Sequence, residues 1–471
     1  MNYLSTTDNN LGKNLKSLGC TYETAREVYA DLSKIANISL QDLCAKNPAL
    51  LVFPKVLGEN KDDIDKLPIF TMAGSGEGEA ELSKVKLTTG NIMGFIGCGE
   101  TQLEITSRFA PNEPTRQKED FFLHYLLQKV FSLNLFALKH FSSKGMFDFL
   151  TFMFPHFLKA ALSQGIFKTY QHLQKNDANI KGAVNISRHI KENIPFRGRI
   201  SYNTRECTCD NDMTELIRHT IEAIKTKGIG KTILYGTDET RHNIELITSV
   251  TPSYSSYKRE QIISKNAKLV SHPYFTKYRT LQKICLAILK HQKLKYGSNS
   301  KQIYGILFDG AWLWEEYLAT ILVKCNFKHP RNKVGSGGIS LWSGRPCYPD
   351  FYKGEQIKNF NYGEAIPQEN FVLDAKYKRL SDSLIDRDDV HQLITYMHIL
   401  PANKAELIYP IPAQEYTSDT LAQGKEHAVH GLGGTIKTLG FPIPQTATSY
   451  DDFCNMMQRF ETQLCSHFIS M

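Results

Sequence analysis

The segment Phe371 to Lys378, FVLDAKYK, constrains the fold of this chain more than any other stretch. Its residues alternate: Val372, Asp374, Lys376 and Lys378 fall on one face of a strand, and Phe371, Leu373, Ala375 and Tyr377 on the other. An Asp and a Lys two residues apart on one strand point into the same space. Upstream, Tyr348-Pro349-Asp350-Phe351 sets a second carboxylate behind the turn SGRP. The sequence between, KGEQIKNFNYGEAIPQEN, is polar and turn-like, so a long hairpin is expected to bring Asp350 beside Asp374.

Two carboxylates and a lysine suit metal-assisted phosphodiester hydrolysis. Mg²⁺ takes hard oxygen ligands, keeps several waters and accepts phosphate oxygens. It makes water more acidic and screens phosphate charge, and a nearby ammonium stabilises charge that builds in the transition state. An acid-x-Lys triplet occurs elsewhere only at Glu59-Asn60-Lys61, inside GENKDDIDK, which has no strand pattern. Pro-Asp occurs once, 24 residues before Asp374. The competing reading is an ordinary surface salt bridge on a strand.

Helical spacing flanks this segment on both sides. Downstream, Asp389 to Met397 reads as a helix with Val390, Leu393, Ile394 and Met397 inward, and Gln392 and Tyr396 one turn apart on a neighbouring face. Upstream, Gly305 to Val323 reads as a helix with Ala311, Trp314, Leu318 and Ile321 inward. Glu315 borders that stripe, where it would either complete a metal site or be a solvated helix charge.

Asp350 followed by Asp374-Ala375-Lys376 resembles the PD-(D/E)xK nuclease motif, and Gln392 with Tyr396 resembles the QxxxY extension of some of its branches. The order LWEEYL, PDF, VLDAKYK, QLITYM is similar to McrC, the nuclease subunit of McrBC-type restriction systems. GNIMGFIGCGETQLEITSRFA, and IKGAVNISRHI followed by RISYNTREC, extend a looser similarity, so that it touches roughly residues 87 to 400. The first 65 or so residues have no recognised counterpart.

The resemblance implies that Asp350, Asp374 and the carbonyl of Ala375 bind Mg²⁺, with Glu315 as a further candidate ligand. It implies that Lys376 is the catalytic lysine and that Gln392 is structural or positions water. It further implies an McrB-like AAA+ GTPase ring as partner, with GTP bound by that partner, and double-stranded DNA, in some systems methylated, as substrate. Two other functions stay open: a non-catalytic adaptor that activates an AAA+ partner, and a stand-alone PD-(D/E)xK nuclease acting on junctions or damaged DNA.

The expected fold is α/β (α+β overall). At 471 residues the chain is too long for one compact core. Three regions are expected: 1–115, partly β-rich and docking on the AAA+ partner; 116–300, mostly helical; and 301–471, a PD-(D/E)xK domain with a mixed sheet flanked by helices. In the first region, 1–65 looks helical and mixed, while 68–110 reads as short strands joined by Gly turns, with AGSGEGEAE at 73–81 as a loop. In the middle region helical spacing runs over 117–175, a β-like stretch over 182–202, and a helix over 212–225. Strand-like AELIYPIPA at 405–413 and a closing helix, YDDFCNMMQRFETQLCSHFI, complete the last region.

Charge and cysteine usage narrow the function classes further. The net charge of +8 permits a polyanionic partner without requiring one. Lys258 to Lys301 holds eleven Lys or Arg and one acid, Glu260, beside the apolar stripe Leu281, Ile284, Cys285, Ile288 and Leu289, with Tyr274, Tyr278 and Tyr296 interspersed. That is either a solvated helix face or a surface that tracks phosphates. The ten cysteines form no CxxC pair, which argues against a zinc site and for free thiols in the cytoplasm. The start MNYLSTTDNNLGK lacks the pattern of a secretory signal. Gly145 to Phe167 is too interrupted by Asp148, Pro155, His156 and Lys159 to span a membrane. Gly228-Ile229-Gly230-Lys231-Thr232 lacks the glycine that a phosphate-binding loop needs at position 225, which is Lys, and the GLGG at 431–434 reads as a turn.

Overall fold

The computed structural model describes all residues except 1, 22, 48–49, 59–62, 75–83, 111–119, 132–145, 227–229, 295–302, 333–334, 358–365, 368, 379–385, 414–419, 432 and 470–471. Outside the described residues therefore lie Glu59-Asn60-Lys61, most of the AGSGEGEAE loop, Gly228, Ile229, Tyr296, Lys301 and Leu432. The chain forms two compact units, one of residues 1–134, 141–146 and 299–471, the other of 135–140 and 147–298.

The first unit holds two five-stranded sheets. One runs in the order Asn2–Thr7, Thr101–Thr106, Ile92–Cys98, Ile303–Asp309, Leu50–Phe53. Its core gathers Leu4, Leu50, Ile96, Leu103, Ile105 and Leu307, with Val28, Leu32, Leu40 and Leu43 from the helices Ala25–Ser33 and Leu40–Lys46. The strands read from the glycine-punctuated stretch 68–110 are present, as Phe70–Ala73, Lys86–Thr89, Ile92–Cys98 and Thr101–Thr106. At Gly94, with φ +123°, a Cβ would meet the Ile306 carbonyl oxygen at 2.2 Å, so only glycine lets the neighbouring strand close in.

Ile303–Asp309 corrects the sequence reading. The expected helix from Gly305 is a strand to Asp309 and a helix only over Gly310–Leu322. Every residue of IYGILFD is buried, as befits a central strand covered on both faces, and such an apolar run has no period that separates strand from helix. The turn lies at Asp309, whose carboxylate accepts the backbone N–H groups of Ala311 and Trp312 as helix N-cap. Trp312, Leu313, Trp314, Tyr317, Leu318 and Ile321 face inward, while Ala311 is only half-buried.

The second sheet is mixed, in the order Phe351–Lys353, Phe371–Ala375, Lys404–Pro412, Thr435–Ile443, Ala422–Ala428. Its three central strands are parallel, the two outer ones antiparallel. The helix Arg387–Ile399 packs Leu393, Tyr396 and Met397 against Val372, Ala405, Leu407 and Tyr409. The helix Tyr450–Ile469 packs on the other side, where Phe468 meets Phe327 and Phe371 with ring centroids 5.0 and 5.7 Å apart. The alternation read in FVLDAKYK thus holds: Val372 faces one helix and Phe371 the other.

The second unit combines a sheet of Thr169–Asp177, Ile200–Thr208 and Ala183–Val184 with helices Asp212–Lys225, Asp238–Ser249, Arg259–Lys265 and Thr276–Leu294. Two expectations change here. Residues 169–175, expected to be helical, form a strand whose burial alternates and whose partner is Ile200–Thr208. The β-like stretch 182–202 is strand only at its ends, Ala183–Val184 and from Ile200 on; between them Ile186–Glu192 is a helix, because the Asn185 side chain accepts the Arg188 N–H and starts a helical turn. The apolar stripe Leu281, Ile284, Cys285, Ile288 and Leu289 is buried, and Tyr278 is buried with its hydroxyl donating to the Gly165 carbonyl. The aromatic helix Met146–Leu162 carries Pro155, and among the described residues no helix is long and apolar enough to cross a membrane.

Candidate metal centre

The hairpin register builds the site. Phe351 pairs with Leu373 and Tyr352 with Val372 in an antiparallel ladder, which sets Asp350, one residue before that ladder, opposite Asp374. The Asp350 carboxylate accepts the backbone N–H of Ala375 at 2.8 Å. Beyond Ala375 the chain stays tied to the sheet, since the Lys376 N–H donates to the Ile408 carbonyl at 2.9 Å.

Lys376 reaches back along the Asp374 face, its Nζ 2.8 Å from Asp374 Oδ2 and 3.5 Å from Asp389 Oδ1. It also donates to Gln392 Oε1 at 3.0 Å. Gln392 passes the constraint on, because its Nε2 donates to the Tyr396 hydroxyl, which donates to the Tyr348 carbonyl. The four-residue spacing of Gln392 and Tyr396 is one helical turn, which lets a single helix hold both the lysine and the strand start.

Burial and like charge set the electrostatics. Asp374 is 1% exposed, and burial followed by the charge of Asp350 lifts its pKa to about 8 against the pull of Lys376. Burial also raises Asp350, opposed by Lys376 and by the Ala375 N–H. For Lys376 burial works the other way, yet Asp374 and Asp350 hold it well above its ordinary value, so it stays cationic. Two facing carboxylates in a dry site therefore favour one shared proton.

This is a place short of positive charge. Asp374 Oδ1 is buried and meets no hydrogen-bond donor among the described residues. Such an atom costs free energy unless a proton or a cation reaches it. Among the described residues no three His, Cys, Asp or Glu side chains gather as a metal group. Two carboxylates with one backbone carbonyl nevertheless fit Mg²⁺, which keeps its remaining positions for water and phosphate, better than zinc, which wants a closed nitrogen or sulfur set.

The model of the McrBC 5-methylcytosine restriction system component family matches residues 87–410, more than half of the sequence. The chain belongs to that family. The elements from Ile92–Cys98 to Arg387–Ile399, the carboxylate pair and Lys376 included, lie inside the match, which ends within the strand Lys404–Pro412. No curated protein matches it. Over 99% of its length this McrBC-family chain is similar in fold to the whole of a chain in the refined half-complex from a tetradecameric assembly of Thermococcus gammatolerans McrB AAA+ hexamers with bound McrC, at 14% identity and TM-score 0.51. A chain of the cryo-EM structure of the Thermococcus gammatolerans McrBC complex aligns over 69% of this one and 88% of its own length, at 13% identity and TM-score 0.34.

Of the residues the sequence singled out in this McrBC-family chain, Asp350, Asp374, Ala375, Lys376 and Gln392 come together. Glu315 lies on the helix Gly310–Leu322 with Oε1 3.9 Å from His329 Nδ1. Lys378 turns to the acids at the start of the next helix, 3.2 Å from Asp386 Oδ2 and closer still to Asp389 Oδ2. Sequence reasoning missed two participants. Asp389, 7% exposed, sits between Lys376 and Lys378; an acid in a first helical turn is too common for its sequence position to mark it. His329 lies against Asp350, and no sequence pattern links the two.

Proposed function

We propose that this chain is the Mg²⁺-dependent DNA endonuclease subunit of an McrBC-type restriction system, with the second five-stranded sheet and its flanking helices, from Gly310 onward, as a PD-(D/E)xK domain. The observation that carries the reading is Asp350 set opposite Asp374 with the Lys376 ammonium 2.8 Å from Asp374. Asp350, Asp374 and the carbonyl of Ala375 would hold the metal, which when bound supplies Lewis acidity and neutralises phosphate charge. Glu315 remains a candidate for a further ligand.

In the metal-free fold Asp374 and Asp350 hold Lys376 in its cationic form, and as an ammonium it would act toward the scissile phosphate and the attacking water. Gln392 holds that ammonium from the helix side and limits its rotamers. Asp389 keeps Lys376 and Lys378 on the same side of the strand end, a position from which Lys378 would contact backbone phosphate.

The fold likeness to a chain from an assembly of McrB AAA+ hexamers with bound McrC supports an AAA+ partner; we take GTP to be bound by that partner and the nuclease work to fall to this chain. We infer from the family description that the substrate is double-stranded DNA and that methylated cytosine licenses cutting through the partner. Cleavage of methylated and unmethylated plasmid by this chain, the partner ring, GTP and Mg²⁺ tests the reading, with Asp374→Ala in parallel. Cutting by the parent and a loss of roughly a hundredfold or more in the variant are expected. Equal cutting by both, or partner GTPase stimulation with no cutting by either, would replace the nuclease with a non-catalytic adaptor.

A further inference from the structure

We infer that His329 is a positioning residue for the metal centre, acting through the backbone of Asp350; this rests on the metal-dependent reading above. A carbonyl oxygen can only accept, so the 2.8 Å contact between His329 Nδ1 and the Asp350 carbonyl fixes Nδ1 as the protonated nitrogen. The imidazole side chain is only 7% exposed, and it stacks on Phe351 with centroids 4.8 Å apart and planes 22° apart. Its Nε2 faces Glu316 Oε1 at 3.8 Å, and Nδ1 has Glu315 Oε1 at 3.9 Å. One ring thus ties the helix Gly310–Leu322 to the first residue of the hairpin.

The geometry gives this tie a specific consequence. Asp350 precedes the strand Phe351–Lys353, whose free edge is held by a bridge in which the N–H and carbonyl of Lys328 exchange hydrogen bonds with Tyr352 at 2.8 and 3.0 Å. The bridge ends there, and His329 continues the same edge with a side chain instead of a backbone group. Asp350 is then held twice, by its carbonyl to His329 and by its carboxylate to the Ala375 N–H. Without the first anchor the residue can rotate about its backbone and carry the carboxylate away from Asp374. Outer partners that orient a ligand typically change metal affinity by about 10–100-fold.

Mn²⁺ serves as the probe, titrated into the purified chain by electron paramagnetic resonance, with His329→Phe, His329→Asn and Asp350→Ala beside the parent. His329→Phe retains the ring against Phe351 and removes the donor; His329→Asn puts an amide N–H near the place of Nδ1–H. The inference expects Mn²⁺ affinity about tenfold weaker in His329→Phe, recovery in His329→Asn, and melting temperatures that separate the loss from unfolding. In cleavage assays the Phe variant should need more Mg²⁺ for half-maximal rate while its rate at saturating Mg²⁺ stays close to that of the parent. Parent-like Mn²⁺ affinity in a folded His329→Phe would overturn the positioning role alone. A parent chain that binds no Mn²⁺, or binds it equally after Asp350→Ala, would overturn the metal-dependent reading itself.

Discussion

The backbone N–H of Ala375 donates to the carboxylate of Asp350 across the hairpin, at 2.8 Å. One strand therefore supplies Asp374 as a side chain, Ala375 as the donor that orients the opposing carboxylate, and Lys376 as the cation. Three consecutive residues do three jobs because a strand end exposes backbone groups that a ladder would otherwise consume.

Gln392 and Lys376 separate binding from chemistry. Gln392→Ala removes the acceptor at 3.0 Å that holds the ammonium and leaves both carboxylates in place. The expected result is a cleavage rate lower by roughly tenfold, about 1.4 kcal/mol, at unchanged half-saturating Mg²⁺. Lys376→Met should cost far more in rate. A shift in Mg²⁺ requirement without a rate change would show that Gln392 serves the metal instead.

Asp374 makes metal binding depend on pH. Its pKa is about 8 in the metal-free fold, so near neutrality the metal must displace a proton. Apparent Mn²⁺ affinity should fall by up to about tenfold per pH unit below pH 8 and level off above it. Calorimetry in buffers of different ionisation enthalpy should report close to one proton released per metal at pH 7.

The same raised pKa acts on stability with a defined sign. Between the ordinary carboxylate value and about 8 the metal-free fold binds more protons at Asp374 than the unfolded chain does. Stability should therefore decline as pH rises through that window, by on the order of 1 kcal/mol per unit. Melting curves in EDTA from pH 5 to 8 should show the decline in the parent and a flatter profile in Asp374→Asn. A parent melting point that rises over this range would contradict the assignment.

Arg108 guards the far side of the Asp374 strand. Its guanidinium lies 3.2 Å from the buried Asp8 and 4.3 Å over the ring of Tyr377. Arg108→Ala would leave Asp8, 0% exposed, without its cation and Tyr377 without its cover. A loss of about 3–5 kcal/mol is expected by denaturant titration, and Arg108→Lys should recover only part of it, having no planar group to stack. A change under about 1 kcal/mol would mean the pair is relaxed by water.

Glu406 and His467 fasten the closing helix to the sheet. Glu406 is buried and His467 half-buried, with His467 Nε2 3.1 Å from Glu406 Oε2. Glu406→Gln preserves the shape and removes the charge, so a loss of roughly 1–3 kcal/mol in chemical denaturation is expected. The metal centre lies on the opposite face of that sheet, and Mn²⁺ affinity should stay near the parental value.

The amino-acid order alone determined the strand at FVLDA, its two faces, and the helix that follows; the expected strand ran on to Lys378, whereas the ladder ends at Ala375. These depend on local periods, and a buried face enforces a period of two or of 3.6 wherever it lies. The same logic failed at IYGILFD, where burial on both faces erases the period, and at residues 169–175, whose pairing partner is the distant strand Ile200–Thr208. That Asp350 meets Asp374 was legible as a hairpin; that Phe351 pairs with Leu373, and so sets the two carboxylates opposite each other, is register. His329 and Asp389 became visible only once the chain had folded. A histidine against a carbonyl 21 residues away, and an acid wedged between two lysines, carry no spacing a sequence can display. Their roles come from burial, which removes competing water and gives a 2.8 Å contact its weight.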